Sequence, residues 1–186
     1  MEDLSRDIIE QAAEGDRGAF EAIYKATSGF VYSTALRIVN NSADAQEITQ
    51  DIFMKIYDNL KNFEFRSSFK TWVYRITVNA AINAYYKNKR EYGRRQDFDT
   101  VLETAGTPPE AFRAVEQSDN ERALTKLLGA LTPEHRAIIT LRELEHLSYE
   151  DIANTLKINL NTVRSRLKRA RQALLEHNTR AVSHAV

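Results

Sequence analysis

Apolar residues recur every three or four positions along the chain, and no strand-length stretch alternates apolar with polar. The pattern predicts helices throughout and an all-α fold. Asp16 stands as an N-cap before a helix carrying Phe20, Ile23, Tyr24, Val31, Ala35 and Ile38, with Gly29 as a candidate break. Ser42, followed by Asp44 in the first turn, is expected to open a helix with Ile48, Ile52, Ile56 and Leu60 on one face. Residues 62–68 read as a loop. Ser68 can cap a long helix burying Phe69, Val73, Ile76 and Ala80 and turning Arg75, Asn79, Asn83 and Lys87 outward. A further helix is expected from near Ser118, with Leu124, Leu127 and Leu128. Thr132-Pro133-Glu134 then combines a cap, a first-turn proline and an acid at the positive end of the dipole. The helix it opens should carry Ile138, Ile139, Leu141 and Leu144.

The stretch 147–175 is the most specific. Ser148-Tyr149-Glu150-Asp151 is a capping-box pattern that opens a short helix from Tyr149 to Leu156. Lys157-Ile158-Asn159 is a tight connection, with Lys157 where glycine is common and Asn159 able to cap a second helix. That second helix places Leu160, Val163, Leu167, Ala170 and Leu174 on one side. Its other faces carry Asn161, Thr162, Arg164, Ser165, Arg166, Lys168, Arg169 and Arg171. A short capped helix, a tight turn and a half-apolar, half-basic helix make a helix-turn-helix suited to the major groove. A basic helical hairpin that binds protein is the competing reading.

Charge changes the picture. The 186 residues carry 26 Lys and Arg against 26 Asp and Glu, yet the zero sum hides a segregation. Residues 1–95 hold 14 basic and 13 acidic side chains, 96–120 hold 1 and 6, and 121–186 hold 11 and 7. The acidic middle, with Gly106-Thr107-Pro108-Pro109, reads as a linker between a domain at 1–95 and another at 121–186. Residues 61–95 contain nine basic residues interleaved with Phe63, Phe65, Phe69, Trp72, Tyr74, Tyr85, Tyr86 and Tyr92. Cations that track a backbone beside aromatic platforms suit single-stranded nucleic acid. For Phe69 and Trp72 packing in the core is the simpler role, which leaves Arg75, Asn79 and Asn83 as the better contact candidates. Asp44, Glu47 and Asp51 share one face of their helix, a stripe that fits a basic partner or plain solvent.

The absence of cysteine excludes disulfides, thiolate metal sites and a cysteine nucleophile. His135, His146, His177 and His184 lack ligand spacing, and Asp97-Phe98-Asp99 reads as solvated, so no metal, cofactor or small-molecule substrate is implied. No apolar run is long enough to span a bilayer, and the acidic start has no signal-peptide core; a cytoplasmic protein is expected. The tail 177–186 is expected to fray.

Three stretches resemble the extracytoplasmic-function class of bacterial RNA polymerase sigma factors. Asp44-Ala45-Gln46-Glu47-Ile48-Thr49-Gln50-Asp51-Ile52-Phe53 is similar to the helix that grips the β′ clamp helices. Phe69-Lys70-Thr71-Trp72-Val73-Tyr74-Arg75-Ile76-Thr77-Val78-Asn79 is similar to the helix that opens and reads the −10 element. Thr162-Val163-Arg164-Ser165-Arg166-Leu167, within 147–171, is similar to the reader of the −35 element. The resemblance implies a non-enzymatic polymerase subunit. It assigns Asp44, Glu47, Gln50, Asp51 and Phe53 to core polymerase, and Phe65, Arg66, Ser67, Arg75, Asn79 and Asn83 to the melted −10 strand. Asn161, Thr162, Arg164, Ser165, Lys168, Arg169 and Arg171 fall to the −35 duplex. Implied partners are core RNA polymerase (β′ clamp helices and β flap), promoter DNA and an anti-sigma factor. A dimeric helix-turn-helix repressor or activator is the alternative, although no heptad seam for a dimer is present.

Overall fold

The computed structural model describes residues 4–95 and 119–183, and every regular element among them is helical. The linker expected at 96–120 lies outside the described residues except for Asp119 and Asn120, which already belong to a helix. Asp97-Phe98-Asp99, the stretch Gly106-Thr107-Pro108-Pro109 and His184 also lie outside them.

Helix α1 spans Arg6–Ala13 and starts at Ser5, whose hydroxyl accepts from the Ile8 N–H. Helix α2 spans Arg17–Val39, capped by the Asp16 carboxylate 2.7 Å from the Ala19 nitrogen. It does not break at Gly29, where the helical backbone continues and a Cβ would meet nothing within 4 Å. It stops at Asn40, whose left-handed φ of 59° ends the helical course. Helix α3 spans Ser42–Asn59, opening at Ser42 as expected, and its cap is Asn41, whose side chain takes the Asp44 N–H at 3.0 Å. A single 3₁₀ turn, Leu60–Asn62, leads into the loop, and Ser68 then caps α4, Phe69–Arg95, by accepting from the Thr71 N–H. Helix α2 packs against α1, α3 and α4 around Ile23, Val31, Ile38, Ile52, Ile56, Val73 and Tyr74, all fully buried.

The second half opens with α5, Asp119–Leu128, in which Leu128 is buried but Leu127 stays exposed. Thr132 caps α6, Pro133–Ile139, as the sequence requires. Thr140–Leu144 then widens into a π-helical turn, so the expected single helix through Leu144 is interrupted. The wider turn buries Leu141, leaves Leu144 half-buried and delivers Glu145 toward α4. Helix α7, Tyr149–Leu156, has the reciprocal Ser148–Asp151 cap. Lys157 ends it with φ 52°, and Asn159 caps α8, Leu160–Ser183, by taking the Thr162 N–H at 2.8 Å. Because α8 continues to Ser183, the tail expected to fray from 177 is helical for most of its length.

The two halves dock. Helix α6 packs on α2 and α4, and α7 packs on α4. Arg37 makes a two-point contact with Glu121, 2.8 Å at each nitrogen, and reaches Glu145 at 3.5 Å. Tyr74 donates to Glu145, Lys70 lies 3.6 Å from the same carboxylate, and Tyr86 donates to Glu134 at 2.8 Å.

Candidate nucleic-acid interface

The helix-turn-helix is positioned from beneath. Val163, Leu167 and Ala170 of α8 are fully buried, as is Ile152 of α7, and this contact fixes the crossing of the two helices. Asn161, Arg164, Ser165, Lys168 and Arg169 are consequently exposed along the outer face. Thr162 is half-buried, its hydroxyl spent on Asn159 at 2.9 Å. Arg171 is exposed but engaged: two of its nitrogens meet one Glu143 oxygen, at 3.0 and 2.6 Å. His135 of α6 lies half-buried near Arg166 and Arg169; burial lowers its pKa from the ordinary 6.5, Glu134 opposes this and the two arginines reinforce it.

The second surface is built on α4 and the loop before it. Phe63 is buried and forms a hub, with ring centroids 4.7 Å from Phe65, 5.5 Å from Phe69 and 5.2 Å from Trp72. Phe69 and Trp72 stack at 5.7 Å and are buried, so both serve the core. Tyr74 does too, being wholly enclosed. Phe65 is different. It is half-buried and holds a left-handed φ of 54°, a conformation costly for a bulky residue and retained only where neighbours enforce it. Arg66 and Ser67 beside it are exposed, Arg66 pairing with Glu64 at 2.6 Å.

A groove of about 320 Å³ runs between the C-terminal part of α3 and α4, lined by Lys55, Asn59, Trp72, Arg75, Ile76, Asn79, Ala80 and Asn83. It continues at Lys55, Ala80 and Asn83 into a second hollow of about 390 Å³, bordered by Glu47, Asp51, Lys87, Asn88 and Arg90. The structure thus joins two sets of residues that the sequence kept apart. The acidic face of α3 and the polar face of α4 flank one channel, and Lys55 stands where they meet. Sequence reasoning misses Lys55, Asn59 and Asn88 because neither periodicity nor charge runs show which faces of two helices confront each other.

Glu47, Gln50 and Asp51 are exposed on α3, and Asp44 is half-buried in its first turn. Phe53 is not available to a partner: only 6% exposed, it packs against Tyr24 with centroids 4.6 Å apart. Its position, one residue past the fully buried Ile52, turns it toward α2. The apolar surface that α3 does present is Met54, 63% exposed, and Tyr57, 50% exposed. These come after Gln50 at helical spacing on the same stripe, a signal the sequence contained.

Among the described residues no helix is long and apolar enough to cross a membrane, and no three His, Cys, Asp or Glu side chains are grouped as a metal site.

A helix-turn-helix with an exposed basic face, joined to a helical bundle carrying a polar groove and an aromatic loop, defines a promoter-reading factor, and sequence comparison agrees. Residues 23–91 match sigma-70 region 2 and residues 121–174 match sigma-70 region 4. The RNA polymerase sigma-H factor of Pseudomonas aeruginosa is 33% identical over 184 residues, covering 93% of each chain. The ECF RNA polymerase sigma-E factor of Haemophilus influenzae is 33% identical over 176 residues, 90% of this chain and 91% of its own. Among solved structures, the sigma factor RpoE of Bartonella quintana, in complex with the anti-sigma factor NepR, superposes with a TM-score of 0.60 at 27% identity, over 84% of this chain and 94% of that one. CnrH, in complex with the cytosolic domain of CnrY, shares the fold with a TM-score of 0.64 at 23% identity, over 94% and 96%. The chain belongs to the extracytoplasmic-function class of sigma-70 RNA polymerase sigma factors.

Proposed function

We propose that this sigma factor divides promoter reading between its two basic surfaces while core polymerase supplies scaffold and catalysis. Asn161, Thr162, Arg164, Ser165, Lys168 and Arg169 meet the −35 duplex, arginines and lysines reaching base edges or neutralising phosphates. Arg171 joins them once it leaves Glu143. Phe65, Arg66 and Ser67 form the pocket for an extruded −10 base, and Arg75, Asn79 and Asn83 line the path of its strand. Extruding a base costs on the order of a few kcal/mol, and a preformed pocket recovers it only when the fitting base arrives, so opening and reading are one event. The observation that carries this reading is the groove between α3 and α4, which leads along Arg75, Asn79 and Asn83.

Glu47, Gln50 and Asp51, with Asp44 at the edge, face the β′ clamp helices, and the second domain meets the β flap. Met54 and Tyr57 supply the apolar contact that the family resemblance assigns to Phe53. The domains divide at 1–95 and near 119, with 96–118 as an acidic tether. The tether offsets the positive field of the second domain, so the free chain binds promoters poorly and polymerase restores binding through effective concentration. The chain has no catalytic residues of its own and works in the cytoplasm. An anti-sigma factor that covers the polymerase-binding faces holds it inactive, a partner class present in the RpoE–NepR structure.

Run-off transcription with purified core polymerase tests the reading. Specific transcripts should appear only when the chain is added. Start sites that are unchanged by it would refute the proposal.

A further inference from the structure

We infer that Arg6, on the N-terminal helix, is a wall of the base-capture loop and contacts the extruded −10 base. The inference deepens the proposed function and rests on its assignment of loop 63–68.

The guanidinium of Arg6 lies over the Phe65 ring, 4.5 Å from its centroid. The two residues are remote in sequence, and α1 packs against the 3₁₀ turn Leu60–Asn62 that leads into the loop. Ile9 and Ala12, both buried, hold that side of α1 to the bundle, so Arg6 projects from an anchored helix. Its Nε is engaged by Glu10 at 2.7 Å. Among the described residues no hydrogen bond occupies its two terminal NH2 groups.

Chemistry gives this arrangement a use. A guanidinium is flat, stays charged and is weakly hydrated, so it stacks on aromatic faces and on bases alike. Its fork also matches a base edge that offers two acceptors. Phe65 is held in a left-handed backbone conformation, which fixes the aromatic partner in place. A base entering beside Phe65 therefore meets an aromatic ring and a planar cation whose two terminal NH2 groups no described residue engages. Glu10 orients the cation along the helix without consuming those donors.

The test is a selection. Holoenzyme assembled from the full chain and bacterial core polymerase is offered promoter fragments randomised across the −10 region. Bound, opened fragments are sequenced for the wild type, Phe65→Ala, Arg6→Ala and Arg6→Lys, and the melting temperature of each free chain is recorded. The wild type should show a base preference at one position that Phe65→Ala abolishes. Arg6→Ala should weaken the preference at that same position about tenfold, leave the other positions unchanged and leave the melting temperature within a degree or two. Arg6→Lys should stay nearer to Arg6→Ala than to wild type, because an ammonium cannot stack or fork.

The inference is overturned if Arg6→Ala keeps the preference, strengthens it, or lowers binding equally at every position. Full recovery in Arg6→Lys also overturns it, since charge alone would then suffice. If Phe65→Ala changes no preference, the loop assignment itself fails, and that outcome is distinct from failure of Arg6 alone.

Discussion

Arg136 donates its Nη1 to the carbonyl oxygen of Ile38, 2.9 Å away and 98 positions back in the chain. Its Nε reaches the Leu128 carbonyl at 3.0 Å and its Nη2 that of Gly129 at 3.1 Å. The residue is 5% exposed, and burial pulls its pKa below the ordinary arginine range, yet among the described residues no carboxylate pairs with it. The carbonyls at the C-terminal ends of α2 and α5 do so instead, where the helix dipoles are negative. Arg136→Ala would strand these buried acceptors and leave a void, at a cost of about 3 kcal/mol or more. In calorimetry the wild type should unfold in one transition and the variant in two, because this guanidinium ties α2 to α5.

Glu145 makes another tie between the halves. The π turn brings its carboxylate to Tyr74, with Lys70 and Arg37 alongside. Glu145→Ala should raise the radius of gyration in small-angle scattering and speed amide exchange in α7. An unchanged scattering curve would mean that apolar packing alone holds α7 against α4.

On α3, neighbouring residues have opposite roles. Phe53→Ala should destabilise the fold by about 3 to 5 kcal/mol, the usual cost of truncating a buried phenylalanine, as read by chemical denaturation. Met54→Ala with Tyr57→Ala should leave stability nearly unchanged and lower affinity for core polymerase at least tenfold in a pull-down titration.

Arg171 is held by Glu143. Glu143→Gln should release it, tighten binding of holoenzyme to a −35 duplex and steepen the salt dependence by about 0.9 on a log–log plot, the increment for one more neutralised phosphate. Arg171→Ala should remove that gain. Arg169→Ala in the wild-type background should weaken docking by about 1 to 3 kcal/mol if it reads a base.

His135 offers a spectroscopic probe of the −35 surface. Its pKa is lowered in the folded chain, so the fold favours the neutral ring. The stability this contributes is complete above about 6.5, the ordinary histidine value, and is lost as pH falls through the lowered folded-state value. Nuclear magnetic resonance titration should place His135 below an unfolded reference. Arg169→Ala should raise its pKa by removing a neighbouring positive charge, and so should a bound duplex, whose phosphates favour the imidazolium.

Local signals were legible where one segment suffices to satisfy its own backbone. The caps at Asp16, Thr132, Ser148 and Asn159 each bond within three residues, so composition alone locates them. The exposed basic face of α8 could be read from apolar spacing, since Val163, Leu167 and Ala170 must turn inward. Gly29 misled because a glycine in a long buried helix weakens it without ending it. The start of α3 at Ser42 was legible as well, with Asn41 just before it supplying the cap. The resemblance assigned Phe53 to core polymerase, and a motif match does not say which side chain of α3 turns toward α2.

By itself the sequence determined the helical class, the two clusters of basic residues and the family, since periodicity, capping and motif order are properties of short segments. Only the tertiary structure decided that Arg6 covers Phe65, that Arg136 closes two helix ends, that Glu143 occupies Arg171 and that one groove joins α3 to α4. Those facts depend on which side chains meet across distant segments, and that is set by how whole helices pack to bury apolar area while keeping most buried polar groups paired.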